Sequence, residues 1–574
     1  MHHAGWGRAE IGVAPDGYAM FGYGLWTHRA RGRQTPLYAR AFCIGDGARR
    51  LIFCCADLGS ISHALRQGVC EALRQRLGGD FDEAGLVLTC THTHSGPGGC
   101  SHEALYNVVT PGFVTQHHRA VVDAVSDSVV HAWQSAAPTE ITLSAAAFDE
   151  DVPVAWNRSL RAFNRNPDVT RRGESETHLA MNRTMHVLGF RRNGRVQALL
   201  SLFGVHATCI GNKLNSYDGD NKGYAAAHAE QELRAAGATD PVAIFAQATA
   251  GDISPHYHGP GDWERRKQIR GAAEYAYAER NGQAQSIRAL SMLAEQPGEA
   301  IGAGLDAIFA YADFTAIQAE PRFANGAGDA CTSEPCHGVS FFEGTPVDGR
   351  GMPPALAKLS RLIAGFLKRR RLARLERMPP AERDYYRRLY AAQGAKAIAL
   401  EAGRKVLLGR PLAALALPDF VDPSTAEMKR QARSGAIDRS PLVPTVLPLQ
   451  IVRLGELAIV CCPGEFTTTA GARLMQSVGE ILRASGTRQV LICTYANDYM
   501  GYVTTNEEYQ AQCYEGGHTI FGQWTLAAFQ TRLTALAREM LRPPGERQHD
   551  RTTRPPPVPP DELAKRSDLP VPHR

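Results

Sequence analysis

The residues with the clearest capacity for chemistry are two histidines, His92 and His94, within the glycine-rich segment Thr91–Gly99. The segment follows an apolar run, Leu86–Leu88, that predicts a buried strand. Side chains two residues apart on a strand point to the same face, so we expect the two imidazoles side by side at the strand end. The glycines behind them let a substrate approach the backbone. The pair therefore indicates a catalytic metal site, with a hydrogen-bonded histidine pair at a strand edge as the alternative.

Four more polar residues occupy the same kind of position, just past an apolar strand-like run. They are His206, Ser254, Glu465 and Tyr502. Ligands and catalytic groups collect at strand ends, because loops there carry polar groups while the sheet holds them rigid. Imidazole, carboxylate and phenol groups offer the nitrogen and oxygen donors that zinc accepts. A zinc ion with an open position lowers the pKa of bound water to about 7 or polarises a carbonyl.

Each of these residues also has a purely structural interpretation when it is taken alone. His206 would be a hydrogen-bonded core histidine, and Tyr502 ordinary packing. Glu465 would cap the helix predicted to begin near Thr468, since a carboxylate stabilises a helix N-terminus. Ser254, which precedes a proline, would be a turn residue. Only the occurrence of their motifs together in a familiar order, given below, weakens these separate interpretations.

The elements that position these residues alternate between apolar strands and amphipathic helices. Strands are predicted at 50–57, 86–91, 196–206, 241–247, 456–462 and 489–494. Helices are predicted at 62–77, 115–136, 223–237 and 469–485. This alternation predicts an α/β or α+β fold in which mixed β-sheets are flanked by helices.

The composition excludes several classes of protein. A formal net charge of +5 over 574 residues is too dilute to favour nucleic acid, and no nucleic-acid-binding motif occurs. No apolar run approaches the roughly 20 residues of a membrane span. The first eight residues contain no apolar signal-peptide core, so we expect a cytoplasmic protein, or a secreted or periplasmic one if the sequence is a trimmed mature form. Of the 13 cysteines, the pairs Cys54-Cys55 and Cys461-Cys462 lie in apolar runs, which favours a reducing compartment; a bridge between Cys331 and Cys336 is the alternative in an oxidising one.

Two segments stand apart from this pattern. Residues 355–410 are predicted to be helical and are basic, including Lys368–Arg371. They form either a solvated helix face or an arm that rests on anionic lipid headgroups or a partner. The sequence from 543 to 574 is rich in proline and charge, so we expect a disordered or extended tail. The predicted organisation is one catalytic domain at 1–542 followed by this tail.

The motifs occur in an order that resembles the neutral ceramidase family, the neutral/alkaline non-lysosomal enzymes. They are collinear over about residues 5–530. The matching segments are Gly5–Ile11, Leu37–Phe42, Ala56–Gly59, Thr91–Gly99, Asn157–Ser159, Asp220–Tyr224, Gly251–Pro255, Pro463–Thr468 and Tyr502–Tyr509.

The resemblance implies an amidase with one catalytic zinc ion that splits the N-acyl amide bond of ceramide into a fatty acid and a sphingoid base. The implied zinc ligands are His92, His206, Glu465 and Tyr502. His94 would lie next to the metal and contact substrate or move protons, and Arg158 would bind the substrate head or the developing oxyanion. Ser254 matches the serine usually assigned as the nucleophile of the family.

The chemistry of amide hydrolysis is consistent with these implied roles. Negative charge develops on the carbonyl oxygen, and a preorganised donor such as Arg158 typically stabilises it by about 3–4 kcal/mol. The attacking oxygen is either a zinc-bound water or the Ser254 hydroxyl, and the sequence leaves both open. The sequence contains no Gly-x-Ser-x-Gly elbow of the common serine hydrolases.

Some positions differ from the usual pattern of the family. His206 is followed by Ala-Thr-Cys instead of Pro, then Thr or Val, then Ser, and Ser254-Pro is followed by His256 instead of Asn. Residues 256–300 are divergent and rich in charge. We also expect the C-terminal immunoglobulin-like domain of the family to be absent, because the sequence ends in a proline-rich tail. A zinc-dependent hydrolase of another N-acyl amine or lipid amide on the same scaffold is therefore the alternative function.

Two further classes fit the sequence less well. A barrel amidohydrolase also ends a strand with a His-x-His pair, but it places the pair on its first strand and needs a later metal-binding aspartate. A non-catalytic lipid-binding protein is expected to have lost a ligand, whereas every residue matched to the zinc ligands is present.

Overall fold

Two mixed β-sheets lie face to face, and each is covered on its outer side by helices. The structure is a computed structural model that describes residues 2–110, 112–256, 269–295, 298–345, 347 and 349–571. Part of the divergent segment 256–300 falls outside these described residues.

The helices are named in chain order. They are α1 His63–Leu77, α2 Thr115–Gln134, α3 Leu160–Phe163, α4 Asp220–Ala235, α5 Ala272–Glu295, α6 Val339–Glu343, α7 Pro354–Leu372, α8 Pro380–Gln393, α9 Pro423–Arg433, α10 Thr468–Leu482, α11 Asn506–Tyr509, α12 Tyr514–His518, α13 Thr525–Met540 and α14 Pro560–Ala564. Among the described residues, no helix is both long enough and apolar enough to cross a membrane.

The strands are named in the same way. They are β1 His2–Glu10, β2 Gly32–Arg33, β3 Tyr38–Gly45, β4 Arg50–Ala56, β5 Leu86–Cys90, β6 Ala137–Ala147, β7 Trp156–Asn157, β8 Thr184–Arg192, β9 Arg195–Leu202, β10 Ser216–Tyr217, β11 Ala243–Ala246, β12 Ile253–Ser254, β13 Glu299–Ala300, β14 Leu305–Asp313, β15 Cys336–Gly338, β16 Gly344–Thr345, β17 Gly349–Arg350, β18 Ile398–Glu401, β19 Val406–Leu407, β20 Arg410–Pro411, β21 Val446–Leu454, β22 Leu457–Cys461, β23 Glu465–Phe466, β24 Gln489–Cys493 and β25 Tyr502–Val503.

The first large sheet has the strand order β11-β9-β8-β6-β1-β3-β4-β5, with β13 beside β6, and the second has the order β14-β21-β22-β24. Most neighbours are antiparallel, but β4 with β5, β9 with β11, and β22 with β24 are parallel. Both sheets are therefore mixed, and the fold class predicted from the alternation of elements is confirmed.

The alternation of side chains along β22 shows how the layers are built. Ile459 belongs to the apolar cluster between the two sheets, together with Phe42 of β3 and Leu200 of β9. Its neighbours Ala458 and Val460 belong to the cluster that β22 shares with α10 and α13. Because successive strand residues point to opposite faces, a strand buried on both sides must be apolar throughout. This explains why these strands are near-continuous apolar runs in the sequence.

Helices cover the outer face of the first sheet in two groups. The cluster of α1 and α2 includes Leu65 and Val125 and packs on β3, β4 and β5. The cluster of α4 and α5 includes Leu233 and Leu293 and packs on β8, β9 and β11. The molecule is thus a helix–sheet–sheet–helix sandwich, in which loops at the strand ends are the positions open to polar residues.

The predicted helices and strands are confirmed with small shifts at their ends, but the strand predicted at 196–206 is too long. β9 ends at Leu202. Beyond it, the backbone N–H of Val205 donates to the side chain of Gln247, and that of His206 donates to the carbonyl of Ile253. The chain therefore leaves the sheet after Leu202, because the next N–H groups find acceptors that do not belong to a neighbouring strand of the β9 ladder.

The basic segment 355–410 is helical only in its first part. This first part consists of α7 and α8. The helix α8 ends at Gln393, and the next residue, Gly394, has a φ of +48°. The chain then forms β18, β19 and β20, which extend a four-stranded sheet from β15. The prediction of a wholly helical segment is wrong, because the buried residues Ala399 and Leu400 belong to strand β18, which pairs with β15 and β19.

The structure also differs from the predicted disordered tail. Residues 543–571 follow the surface of the domain, and the side chain of Arg566 is fully buried. The backbone N–H of Phe113 donates to the carbonyl of Arg566 at 2.8 Å, and the backbone N–H of Ser440 donates to Glu562 at 2.8 Å. The tail cannot form a core of its own, but it obtains its packing partners from the domain.

Candidate metal centre and active site

The polar residues of the site lie in loops and short strands that follow strands of the two large sheets. His92 follows β5 and His206 follows β9; Glu465 follows β22 and Tyr502 follows β24. Backbone hydrogen bonds connect the loops: the N–H of Thr494 donates to the carbonyl of Gln247 at 3.1 Å, and that of Asn497 donates to Leu88 at 2.7 Å. The two sheets thereby bring four residues that are far apart in sequence to one place.

The structure brings His92 and His94 together, but not by strand alternation. β5 ends at Cys90, and His92 has a φ of +63°, in the left-handed region that non-glycine residues rarely occupy. The two Nε2 atoms are 3.1 Å apart, and the rings meet edge to face. The two rings lie side by side at the strand end as predicted, but strand alternation does not place them there, because the backbone turns before His92. A strained backbone of this kind often marks a functional site.

Backbone carbonyls orient the two imidazoles that approach the centre. The Nδ1 atom of His92 lies against the carbonyl oxygen of Gly59. The Nδ1 atom of His206 is 2.6 Å from the carbonyl of Ala250 and 3.1 Å from that of Ile253. A carbonyl only accepts, so each Nδ1 carries a hydrogen and each ring directs its Nε2 at the centre. This is the arrangement by which proteins orient metal-binding histidines.

The carboxylate of Glu465 faces both of these nitrogens. Its Oε2 is 2.9 Å from Nε2 of His206, and its Oε1 is 3.5 Å from Nε2 of His92. Two tyrosines hold it from the other side, since the hydroxyl of Tyr495 donates to Oε2 at 3.1 Å and that of Tyr499 donates to Oε1. All of these side chains are buried.

The electrostatics of this group fit a bound cation. Burial raises the pKa of Glu465, but the opposing effects of His92 and His206 are larger and hold it well below its usual value, so the group is a carboxylate. Burial lowers the pKa of His92 to about 4, so its ring is neutral at pH 7. The carboxylate then faces the Nε2 atoms of both rings. A divalent cation balances this donor set, and its chemistry suits zinc.

Tyr502 lies beside Glu465 because the two residues pair in the parallel strands β25 and β23. Its hydroxyl is 3.3 Å from Nε2 of His206 and accepts a hydrogen bond of 2.9 Å from Nη2 of Arg158. Arg158 is held by Glu515, 3.0 Å from its Nε, and by the carbonyl of Gly251. Burial, together with the charge of Glu465, raises the pKa of Tyr502 well above its usual value.

Ser254 is buried at the edge of the same group. It lies in β12, which pairs with β7, so that Ser254 is opposite Trp156. The preceding residue, Ile253, supplies one of the carbonyls that orient His206. The hydroxyl oxygen of Ser254 accepts from the backbone N–H of His256 at 3.3 Å. Ser254 thus follows Ile253, whose carbonyl orients the predicted ligand His206. It lies two residues after Asp252, whose carbonyl accepts from the backbone N–H of Arg158.

His94 enlarges the set of possible metal ligands. His92, His94 and His206 each offer a ligand nitrogen within 4.8 Å of the others, and all three are buried. A close approach of glycine backbone fixes the His94 ring, because a Cβ on Gly22 would lie 2.3 Å from its Cγ. The ligand set of His92, His206, Glu465 and Tyr502 stays a prediction, with His94 as an additional donor that the structure brings within reach.

Several residues of the site were not identified from the sequence. Tyr495 and Tyr499 precede Tyr502 in one loop after β24, and this clustering of phenols after a strand was an available signal. Glu515, which holds Arg158, has no comparable signal because it comes from the short helix α12. The rings of Tyr514 and His518 in the same helix lie 5.4 and 5.2 Å from that of Tyr502. They form an aromatic wall beside the site.

Comparison with known proteins places these features in a family. The family model described as "Neutral/alkaline non-lysosomal ceramidase, N-terminal" matches residues 2–405 and 429–531. The neutral ceramidase of Pseudomonas aeruginosa is 32% identical over 548 residues, which cover 93% of this chain and 71% of that protein. The neutral ceramidase of Mycobacterium tuberculosis is 32% identical over 558 residues, covering 94% of this chain and 77% of the relative.

Solved structures agree with the sequence comparison. A structure titled "Ceramidase complexed with C2" superposes with a TM-score of 0.78 at 30% identity, covering 97% of this chain and 77% of that chain. A crystal structure of the neutral ceramidase from Pseudomonas aeruginosa gives a TM-score of 0.75 at 29% identity, covering 97% and 76%, respectively. The described fold is therefore similar to these structures over nearly the whole chain.

Proposed function

The chain belongs to the neutral/alkaline non-lysosomal ceramidase family and is a hydrolase of linear amide bonds, and we propose that it is a zinc-dependent amidase that hydrolyses ceramide to a fatty acid and a sphingoid base. The observation that carries the proposal is the convergence of two oriented Nε2 atoms, from His92 and His206, on the carboxylate of Glu465. This donor set suits a catalytic metal.

The residues that would hold the ion are His92, His206, Glu465 and Tyr502, with His94 beside them. Zinc at this place would supply Lewis-acid chemistry, which polarises an amide carbonyl and lowers the pKa of water to about 7. The protein contributes the fixed orientation of the donors and the exclusion of bulk water by burial. Tyr495 and Tyr499 keep the Glu465 carboxylate in place through their hydroxyl groups.

Arg158 is suited to stabilise the charge that develops on the amide oxygen. Its guanidinium group is buried and lies 2.9 Å from the hydroxyl oxygen of Tyr502. Glu515 binds Nε of the group and so fixes its orientation, with Nη2 directed at Tyr502. A preorganised donor of this type typically contributes about 3–4 kcal/mol to catalysis, because it needs no reorganisation when charge develops.

The proton balance of the reaction requires a group that can deliver a proton to nitrogen. Hydrolysis transfers a hydroxyl to the acyl carbon, breaks the C–N bond and protonates the departing amine. The imidazole of His94 lies beside His92 and is the residue we assign to this transfer. Ser254 is the assigned nucleophile, and direct attack by water is the alternative. Mass spectrometry of rapidly quenched enzyme distinguishes the two, because only the serine route forms an acyl-enzyme.

The test is release of fatty acid from a fluorescent short-chain ceramide, with and without a chelator and with zinc added back. The proposal predicts cleavage that the chelator abolishes and zinc restores. Cleavage that is unaffected after the metal content has fallen to zero would contradict the metal requirement. Zinc binding without cleavage of ceramide would reject that substrate and favour the alternative, another N-acyl amine, which a panel of soluble N-acyl amines then identifies.

A further inference from the structure

The helix α7 has its small residues turned inward and its large apolar residues turned outward. Ala357, Ser360 and Ala364 are buried against the domain. Five large apolar side chains on the other side are between 36% and 62% exposed: Leu356, Leu359, Leu362, Ile363 and Phe366. A surface helix of a globular protein normally buries its large apolar residues, so this orientation is inverted. We call these five residues the α7 apolar face.

The α7 apolar face is continuous. Residues on a helix are rotated by about 100° each, so the five side chains lie within an arc of about 120°. Monomeric proteins rarely expose contiguous apolar patches of this kind, and an exposed patch bordered by polar groups marks a binding surface. A single exposed leucine would need no explanation, but five on one arc do.

Positive charge borders this face. The sequence of α7 contains six basic residues and no acidic residue. Lys358 and Arg369 are exposed and flank one edge of the apolar arc, and Arg370 is exposed at its C-terminal end. Arg361 pairs with Glu343 and Arg371 with Glu401, whereas Lys358, Arg369 and Arg370 form no ion pair with any residue that the structure describes. An apolar stripe bordered by lysine and arginine is the pattern of helices that lie in the interface of anionic membranes.

Packing connects α7 to the candidate active site. Ala357 lies in one apolar cluster with Val339 and Phe342 of α6. The ring of Phe341, also in α6, is 4.4 Å from that of His518 and 5.9 Å from that of Tyr514. These are the rings of the aromatic wall beside Tyr502. The helices α7, α6 and α12 thus form a continuous path of packed side chains from the α7 apolar face to the aromatic wall of the site.

We propose that the α7 apolar face binds the surface of a lipid bilayer that contains anionic headgroups. The apolar side chains enter the acyl-chain boundary, and Lys358, Arg369 and Arg370 contact headgroup phosphates. The helix lies along the surface and does not cross it. That this contact serves delivery of a lipid amide to the site rests on the proposed function, but the binding itself does not.

The first experiment is flotation of the full-length protein, without substrate, with vesicles of phosphatidylcholine or of equal parts phosphatidylcholine and phosphatidylserine. We expect binding to the anionic vesicles that weakens with salt, because salt screens the charge contribution. The double variant Leu359→Gln/Phe366→Gln should bind about 25-fold more weakly, since each of these half-exposed apolar side chains contributes about a factor of five when it leaves water. Both residues are exposed, so the fold should be retained.

The matched control is Ile287→Gln on α5, an exposed apolar residue outside the α7 apolar face, which should float like the unchanged protein. Equal flotation of the double variant and the unchanged protein would overturn the proposal. Absence of flotation together with a dimer in sedimentation that the double variant converts to a monomer would also overturn it, and would make the face a contact between two copies of the chain.

A second readout separates this proposal from the proposed function. The double variant should hydrolyse a soluble short-chain substrate at an unchanged rate and lose activity only on substrate held in anionic vesicles. If no substrate is hydrolysed at all, flotation still decides the membrane proposal. Equal loss on both substrates would show that the substitutions damage the site itself and would contradict a role confined to membrane binding.

Discussion

The candidate metal centre and the α7 apolar face depart from the usual distribution of side chains in opposite directions. At the centre, charged and polar groups such as Glu465 and His206 are buried, and each has fixed partners. On α7, large apolar groups such as Leu362 are exposed on a continuous arc. Buried polar groups and exposed apolar patches are the informative exceptions in a soluble fold.

The difference between the two regions lies in how their energies combine. The donors of the centre depend on one another, because each orients the next through short hydrogen bonds in a buried environment. The residues of the α7 apolar face contribute separately, in proportion to the apolar area that each removes from water. Single substitutions should therefore have near-complete effects at the centre and graded effects on α7.

The largest effect is expected for Glu465→Gln, which keeps the shape of the side chain but removes its charge. The variant should lose bound zinc, measured by plasma mass spectrometry, and its activity should fall by about a thousandfold or more, since loss of one transition-state donor already costs about 10²–10³. Glu507→Gln is the control, because that carboxylate contacts Arg473 outside the centre. Retention of stoichiometric zinc by Glu465→Gln would contradict the assigned ligand.

Ser254→Ala separates the nucleophile from the metal ligands. Zinc content should be unchanged, because the serine is not among the assigned ligands, and turnover of a short-chain ceramide should fall by about a thousandfold. Ser126→Ala, a buried serine in α2, is the control for folding and should remain active. Full turnover by Ser254→Ala would assign the attack to water instead.

Gly22→Ala tests the close packing of backbone on His94. The new Cβ would lie 2.3 Å from the ring and should displace it, which should lower activity by about a hundredfold. Gly304→Ala is a matched control, because its φ of +105° carries backbone strain close to that of Gly22, at +119°, while its Cβ meets open space. Zinc content then decides the role of His94: loss of zinc makes it a ligand, and retention makes it a neighbour of the metal. Unchanged activity in Gly22→Ala would refute both roles.

Tyr495→Phe removes one of the hydroxyl groups that hold Glu465. The loss of an outer partner of a metal ligand typically costs about 10–100-fold in affinity or activity, so we expect an effect near tenfold while Tyr499 remains. Zinc affinity measured by competition with a chelating dye should fall in parallel. A variant with wild-type zinc affinity would show that Tyr495 does not act through the carboxylate.

Leu362→Gln should have the smallest effect and the most selective one. A single substitution on the α7 apolar face should weaken flotation with anionic vesicles by about fivefold and should leave hydrolysis of a soluble substrate unchanged. Its effect should add to that of Leu359→Gln/Phe366→Gln when the logarithms of the partition coefficients are compared. Complete loss of binding from this one change would mean that the residues of the face act cooperatively. It would contradict the expected difference between graded effects on α7 and near-complete effects at the metal centre.

Much of this architecture was predictable because burial restricts which residue types occur at each position of a strand. Strands such as β22 and β24, covered on both faces, must be apolar throughout, and polar residues just past them had to lie at strand ends. The family resemblance added the order of the motifs. The residues His92, His206, Glu465 and Tyr502 indeed come together in the structure.

What could not be predicted depends on backbone conformation and on contacts distant in sequence. The positive φ of His92 has no local signal in the sequence. Strand alternation predicted that its ring lies beside that of His94, and it does, but the chain has already left the strand at His92. Glu515 reaches Arg158 from a helix more than three hundred residues away. The tail beyond 543 has the composition of a disordered segment, yet it packs because Glu562 and Arg566 find partners on the domain.

The most direct test of the central claim is an anomalous difference map from crystals of the zinc-loaded protein, measured on both sides of the zinc absorption edge. The account predicts one strong peak among Nε2 of His92, Nε2 of His206 and the carboxylate of Glu465, with both Nδ1 atoms still directed at backbone carbonyls. A map without a peak at this position, from crystals that contain stoichiometric zinc elsewhere, would contradict it.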